Sequence, residues 1–177
     1  METERLLLRP FQSGDYDAVH AWASDPEVVT YFEWGPNTPA ETRAYLEQVF
    51  AHEEEVPKRQ FIFAVCPRGK RQPIGGIGLH VSDPLHRNGW IGYVYRRDCW
   101  GQGYATEAAR AVVRFGFEEL SLHRIYATCD PRNVASRRVL EKCGMHYEGV
   151  LRQEKWYKDQ WRDSALFAIL EQELVEE

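Results

Sequence analysis

The segment from Tyr93 to Ala108, YVYRRDCWGQGYATEA, has the residue order of a strand that enters a glycine turn and passes straight into a helix. A helix start leaves its first backbone N–H groups without intrahelical partners, and the helix dipole favours negative charge there. Gly101 and Gly103 carry no Cβ, so a phosphate can approach the main chain closely. Read this way, Gly101, Gln102, Gly103, Tyr104, Ala105 and Thr106 form a cradle for a pyrophosphate. The same residues also fit an ordinary tight strand-to-helix turn. A dinucleotide fold fits less well: Thr106 stands where the third glycine should be, and no acidic residue ends a second strand about 20 residues further on.

Other chemistries find little support. The six histidines form no H-E-x-x-H pattern, and Cys66, Cys99, Cys129 and Cys143 form no C-x-x-C pair. No metal is expected, and the four cysteines read as reduced thiols that mostly pack. The net charge of −5, from 22 basic and 27 acidic residues, argues against a broad nucleic-acid surface. It leaves room for a local basic pocket around one anionic cofactor. Apart from Leu6-Leu7-Leu8, no apolar run approaches the ~18 residues of a membrane span. The acidic start Met1-Glu2-Thr3-Glu4-Arg5 does not read as a signal peptide, so a cytoplasmic chain is expected.

The turn needs a sheet to hold it. Residues 5–11 read as a first strand that Pro10 helps to end. Ser13 can cap a helix beginning near Asp15, and Asp25-Pro26-Glu27 looks like a second helix start. Thr38 followed by Glu41 is a capping-box pattern, and the helix behind it carries Tyr45, Leu46, Val49 and Phe50 on one face. Strands are expected over 60–66, 73–81 and 89–95, after which the apolar period changes from 2 to 3.6. Ala108, Ala109, Val112, Val113, Gly116, Phe117 and Leu120 then make an amphipathic helix over 103–120. A strand over 123–129, a short helix over 133–142 closed by Cys143-Gly144, and two long strands between 145 and 170 follow. No linker or repeat divides the chain. Residues 1–177 therefore read as one mixed α/β domain with a single helix crossover in the middle of a sheet.

Trp100-Gly101-Gln102-Gly103-Tyr104-Ala105 is similar to the Q/R-x-x-G-x-G/A motif of the GNAT superfamily of N-acetyltransferases. The block from Asn133 to Met145, NVASRRVLEKCGM, resembles that family's N-x-x-S-x-x-(V/L)-x-x-K-x-G-(F/M) helix. The stretches Arg5 to Pro10, Asp25 to Val28, Trp100 to Ala108 and Trp161 to Asp163 further resemble its RimJ/RimL-type branch, which acetylates protein amino termini, notably of ribosomal proteins. The resemblance covers about residues 4–172. It implies a GNAT fold, a twisted and mostly antiparallel mixed sheet of about six to seven strands, splayed near its centre and flanked by helices. It also implies acetyl-CoA as acyl donor and a homodimer as an available assembly.

On this resemblance, the amides of Gly101 to Thr106 hold the CoA pyrophosphate, with Trp100 replacing the usual leading Gln or Arg. The strand carrying Tyr93, Val94 and Tyr95 pairs its backbone with the pantetheine arm, and one of its amides could stabilise the thioester oxyanion. Asn133 is placed to hydrogen-bond the pantetheine, to cap a helix, or both; Arg96, Arg97 and Arg137 are candidates for the CoA phosphates. Many family members carry a tyrosine acid where Leu140 stands, so Ser136 is the candidate that hydrogen-bonds the leaving sulfur. An acidic strand position common in the family is Trp90 here. Glu27 and Glu154 are candidate bases acting through water, whereas Glu107 reads as a capping or pairing group.

The implied reaction is direct attack of an amine on acetyl-CoA through a tetrahedral intermediate. An α-amine, with pKa about 7.7–8.0, is partly neutral at pH 7, whereas a lysine near 10.4 is almost wholly protonated. The first-choice acceptor is therefore a protein or peptide N-terminal α-amine. The alternatives are a small amine (an aminoglycoside, a polyamine or an aminoacyl antibiotic) and a non-catalytic acyl-CoA-binding sensor. Tyr31, Phe32, Trp34, Trp156 and Tyr157 are candidate walls of the acceptor pocket. A peptide acceptor predicts an open groove between the early helices and the last hairpin; a polyamine predicts a closed acidic pocket.

Overall fold

The computed structural model describes residues 1–174; positions 175–177 of the expected single domain lie outside the described residues. The chain runs β1 (Leu6–Arg9), α1 (Tyr16–Ala23), α2 (Pro39–Glu53), β2 (Gln60–Pro67), β3 (Gly75–Asp83) and β4 (Asn88–Tyr95). It continues through α3 (Tyr104–Glu118), β5 (Arg124–Cys129), α4 (Val134–Lys142), β6 (His146–Tyr157) and β7 (Gln160–Leu170). The strands form one seven-stranded sheet in the order β1-β2-β3-β4-β5-β7-β6. Every neighbouring pair is antiparallel except β4 and β5, which the α3 crossover joins in parallel. Among the described residues, no helix is long and apolar enough to cross a membrane.

Strand alternation divides the core into two layers. Ile77 and Leu79 of β3, Ile91 of β4 and Ile125 of β5 face α3, whose Ala108, Ala109, Val112 and Val113 are buried against them. Full burial of each such Val, Leu or Ile side chain contributes about 1.5–3 kcal/mol. On the opposite face, Trp22 and Val19 of α1 and Leu46 and Val49 of α2 pack over Ala64 and Phe11. Helix α2 starts where the capping pattern places it. The Thr38 side chain accepts from the Glu41 amide, and the Glu41 carboxylate accepts from the Thr38 amide. Asp25-Pro26-Glu27 does not start a helix. Asp25 instead accepts from the Glu27 N–H at 2.9 Å, a local turn that competes with helix formation.

The β4–β5 ladder decides where a ligand can enter. Only Asn88, Gly89 and Trp90 pair with Arg124, Ile125 and Tyr126. Beyond that row, Ile91 to Tyr95 keep their pairing to β3 but have no ladder to β5. The sheet is therefore splayed at its centre, with one edge of β4 open and the α3 turn directly after it.

Candidate active site

Gly101 and Gly103 have φ of +73° and +82°, a left-handed backbone that L side chains rarely adopt. Gly103 is the N-cap of α3, and the first helical bond runs from the Glu107 N–H to the Gly103 carbonyl at 3.1 Å. The amides of Tyr104, Ala105 and Thr106 lie ahead of that bond, open to an acceptor at the positive end of the helix. Behind the turn stands Arg5. It donates to the Gln102 carbonyl at 2.9 Å and to Glu107 at 2.6 Å, and it lies 4.9 Å from the centre of the Tyr104 ring. Glu107 also accepts from the Thr3 hydroxyl and the Arg5 amide. Burial alone would raise its carboxyl, but these hydrogen bonds hold it below its ordinary value. Glu107 is thus a brace for the turn.

The splay continues the cradle into a cleft of about 1770 Å³. One wall is Gly92, Tyr93, Val94 and Tyr95 of β4; the other is Ala127, Thr128 and Cys129 of β5 with Asn133, the N-cap of α4, and Ser136 within it. The Asn133 side chain caps α4 by accepting from the Ser136 amide at 3.1 Å. Ser136 Oγ and the Tyr93 hydroxyl lie 2.9 Å apart, either able to donate. Burial pushes the Tyr93 phenol up, while its bond to Ser136 pulls the other way, so the phenol keeps its proton. The serine singled out in the sequence therefore comes with a half-buried phenol proton donor beside it, joined to it because the side chains of β4 facing α3 also reach α4.

At the far end, Tyr31, Phe32, Trp34 and Tyr157 line the cleft, and the Tyr157 hydroxyl donates to the Tyr31 carbonyl at 3.4 Å. Trp156 is not among them. It is 58% exposed and meets Trp161 edge-on across the β6–β7 hairpin. Its neighbour Tyr157 points the other way, as strand alternation requires. Arg137 lies over the Tyr147 ring, and Arg138 and Lys142 line the cleft. Arg96 is paired with Asp98, and Arg97 with Asp25 and Glu27. Glu27 and Glu154 both line the cleft; the first is held by Arg97, the second has no hydrogen-bond or ion-pair partner among the described residues. The sequence did not point to His80, Tyr126 or Arg132, which also line it. Their signal was weak: each stands alone in a strand or turn, and only the strand register brings His80 beside Trp90.

The splayed strands, the left-handed glycine turn and the capped α4 helix are matched by a known family. The description "Acetyltransferase (GNAT) domain" fits residues 5–146, most of the chain. The chain belongs to the GNAT acetyltransferase family. It is 36% identical over 171 residues to the uncharacterized N-acetyltransferase YnaD of Bacillus subtilis (strain 168), covering 97% of this chain and 96% of that protein. It is 26% identical to the spermidine N(1)-acetyltransferase of Escherichia coli (strain K12), covering 97% and 89%. Among solved structures it resembles Mycobacterium smegmatis RimJ in complex with CoA-disulfide, with TM-score 0.85, 26% identity and coverage of 97% and 84%. As a GNAT enzyme the protein is an N-acetyltransferase that uses acetyl-CoA. The residues present fit that donor: open amides at a helix start for its phosphates, and an unpaired strand edge for its amide-bearing arm.

Proposed function

We propose that this GNAT enzyme acetylates the N-terminal α-amine of a protein or peptide, in the manner of the RimJ/RimL-type branch. The observation that carries the reading is the state of the carboxylates at the acceptor end. Glu33 is paired with Lys155, Asp130 with Arg132, and Glu27 with Arg97. Asp163 accepts from the Gln153 amide, and Glu41 is occupied by its capping box. A polycation would find few free carboxylates, whereas a peptide chain needs a wide groove and one neutral amine. The early loop at Tyr31 and the hairpin at Tyr157 border the acceptor end of the cleft together, bridged by the Tyr157 hydroxyl and the Tyr31 carbonyl at 3.4 Å.

In this reading Gly101 to Thr106 bind the pyrophosphate and Asn133 the pantetheine, while β4 from Tyr93 to Tyr95 offers its free edge. The attacking nitrogen forms a bond to the acetyl carbon, and the carbon–sulfur bond then breaks. Ser136, backed by the Tyr93 phenol, hydrogen-bonds or protonates the departing thiolate. Tyr31, Trp34 and Tyr157 border the acceptor, with Trp156 at the rim of the same hairpin. A homodimer and a cytoplasmic setting belong to the same reading. The small-amine alternative draws on the spermidine-acetylating relative and on Glu154, the cleft carboxylate left without a partner.

The test is thiol release from acetyl-CoA against peptides with free amino termini, spermidine and an aminoglycoside, with mass spectrometry of the products. Turnover confined to peptides, with the acetyl group on the α-nitrogen, supports the proposal. Turnover confined to spermidine or the aminoglycoside overturns it in favour of a small amine. Tight acetyl-CoA binding with no turnover on any of them would favour the sensor reading.

A further inference from the structure

We propose that His80, through Nε2, takes the proton from the acceptor amine during acetyl transfer. The proposal rests on the reading of the cleft as the acetyl-transfer site and adds the group that the carboxylates do not supply. His80 lies on β3 directly across from Trp90 on β4, and the two rings stack with centroids 3.9 Å apart and planes 7° from parallel. Two residues along, on the same face of the sheet, Gly78 stands opposite Gly92. A Cβ at Gly78 would come within 2.9 Å of His80 Nε2, and a Cβ at Gly92 within 3.2 Å of Trp90 Cζ3. The two rings therefore lie flat over a glycine floor, reaching along the strands toward the splay. At that row β4 has already lost its partner β5, whose pairing ends at Trp90.

His80, Trp90, Gly78 and Gly92 all line the cleft, and neither imidazole nitrogen has a hydrogen-bond partner among the described residues. The stack fixes the ring's orientation while leaving its lone pair unused. Burial first, and nearby His52 second, push its pKa down to about 4, so the imidazole is neutral at physiological pH; the shift also weakens it as a base, and the proton it takes is the acidic one on the nitrogen of the tetrahedral adduct. The other candidates are less well placed: Glu27 is held by Arg97, and Glu154 is an exposed residue on β6. The step balances. The amine lone pair forms the carbon–nitrogen bond, the amine proton passes to His80 Nε2, the carbon–sulfur pair leaves with the thiolate, and His80 returns its proton to water.

The experiment compares wild type with His80→Gln, which keeps polarity and loses the basic nitrogen, using whichever amine the wild type turns over. The expected result is a kcat lowered about a hundredfold or more, with acetyl-CoA affinity within about threefold of wild type. A kcat within about threefold overturns the role of His80 while leaving the transferase reading intact. Wild type inert toward every amine would remove the transferase reading and the proposal together. A measurement on wild type covers a variant that fails to fold. With CoA bound, addition of a free-amine peptide or spermidine should shift the imidazole ¹⁵N resonance of His80, and an unmoved resonance overturns the proposal.

Discussion

Replacing Glu107 by Gln tests whether the cofactor turn is braced from behind. The carboxylate receives the Thr3 hydroxyl at 2.6 Å, the Arg5 amide at 2.8 Å and the Arg5 Nε at 2.6 Å, and its side chain is 16% exposed. Glutamine keeps one oxygen for the first two donors but sets an NH2 group against the guanidinium. A hydrogen bond to a charged group contributes about 1.5–3 kcal/mol. The Arg5 side chain is 44% exposed, so solvent screening reduces the expected loss to about 1–2 kcal/mol. At about 2–4 °C per kcal/mol for a chain of this size, Tm should fall by roughly 2–8 °C. Arg5 would also relax its hold on the Gln102 carbonyl, and acetyl-CoA Kd should rise about five- to tenfold, about 1–1.4 kcal/mol. The pH dependence has a definite sign. The Glu107 carboxyl is lowered in the folded protein, so its contribution is present above its ordinary value of 4.5 and is lost as pH falls through the folded value. The gap in Tm between wild type and variant should therefore narrow in acid. Thermal unfolding at neutral and acid pH, with calorimetric titration of acetyl-CoA, reads all three effects. A variant with unchanged Tm and unchanged Kd at neutral pH would refute the bracing role.

Three further outcomes are expected. Tyr95→Phe should raise Tm, because the Tyr95 hydroxyl is buried with no hydrogen-bond partner among the described residues and its removal relieves a desolvation cost of about 1–3 kcal/mol; a lower Tm would mean that the hydroxyl has an acceptor after all. Thr38→Ala should lower stability by about 1 kcal/mol in denaturant titration, through loss of the α2 cap, and leave acetyl-CoA affinity unchanged. Tyr93→Phe removes the partner of Ser136 and should reduce kcat toward the lower end of acid catalysis, about a hundredfold, with the acetyl-CoA KM little altered. An unchanged kcat in steady-state assays would remove Tyr93 from leaving-group protonation.

The turn and its helix were legible because both signals are local: glycines where φ must be positive, and a 3.6-residue apolar period from Ala108 to Phe117. Thr38 and Glu41 were legible for the same reason, since a capping box closes within four residues. Asp25-Pro26-Glu27 misled because the side chain that caps a helix also makes a local turn. Trp156 and Arg137 were placed by residue type alone, and which side of a strand or helix faces the cleft depends on register and crossing angle. His80 lay hidden for a related reason. Its meaning comes from Trp90 across the ladder and from Gly78 and Gly92 two residues on, a pairing set by a hairpin with a register shift between Val81 and Asp83. The Tyr93–Ser136 pair joins residues far apart in sequence and depends on how α4 docks against β4.

The central claim is that acetyl-CoA lies in the splay between β4 and β5 with its phosphates on the α3 turn. Backbone amide NMR during titration with acetyl-CoA tests it most directly. The account predicts the largest shifts at Gly101 to Thr106 and along Gly92 to Tyr95, and their loss in Gly103→Glu, whose side chain would bring bulk and negative charge to the cradle. Saturable shifts confined to another surface, or shifts at the turn that persist in Gly103→Glu, would contradict it.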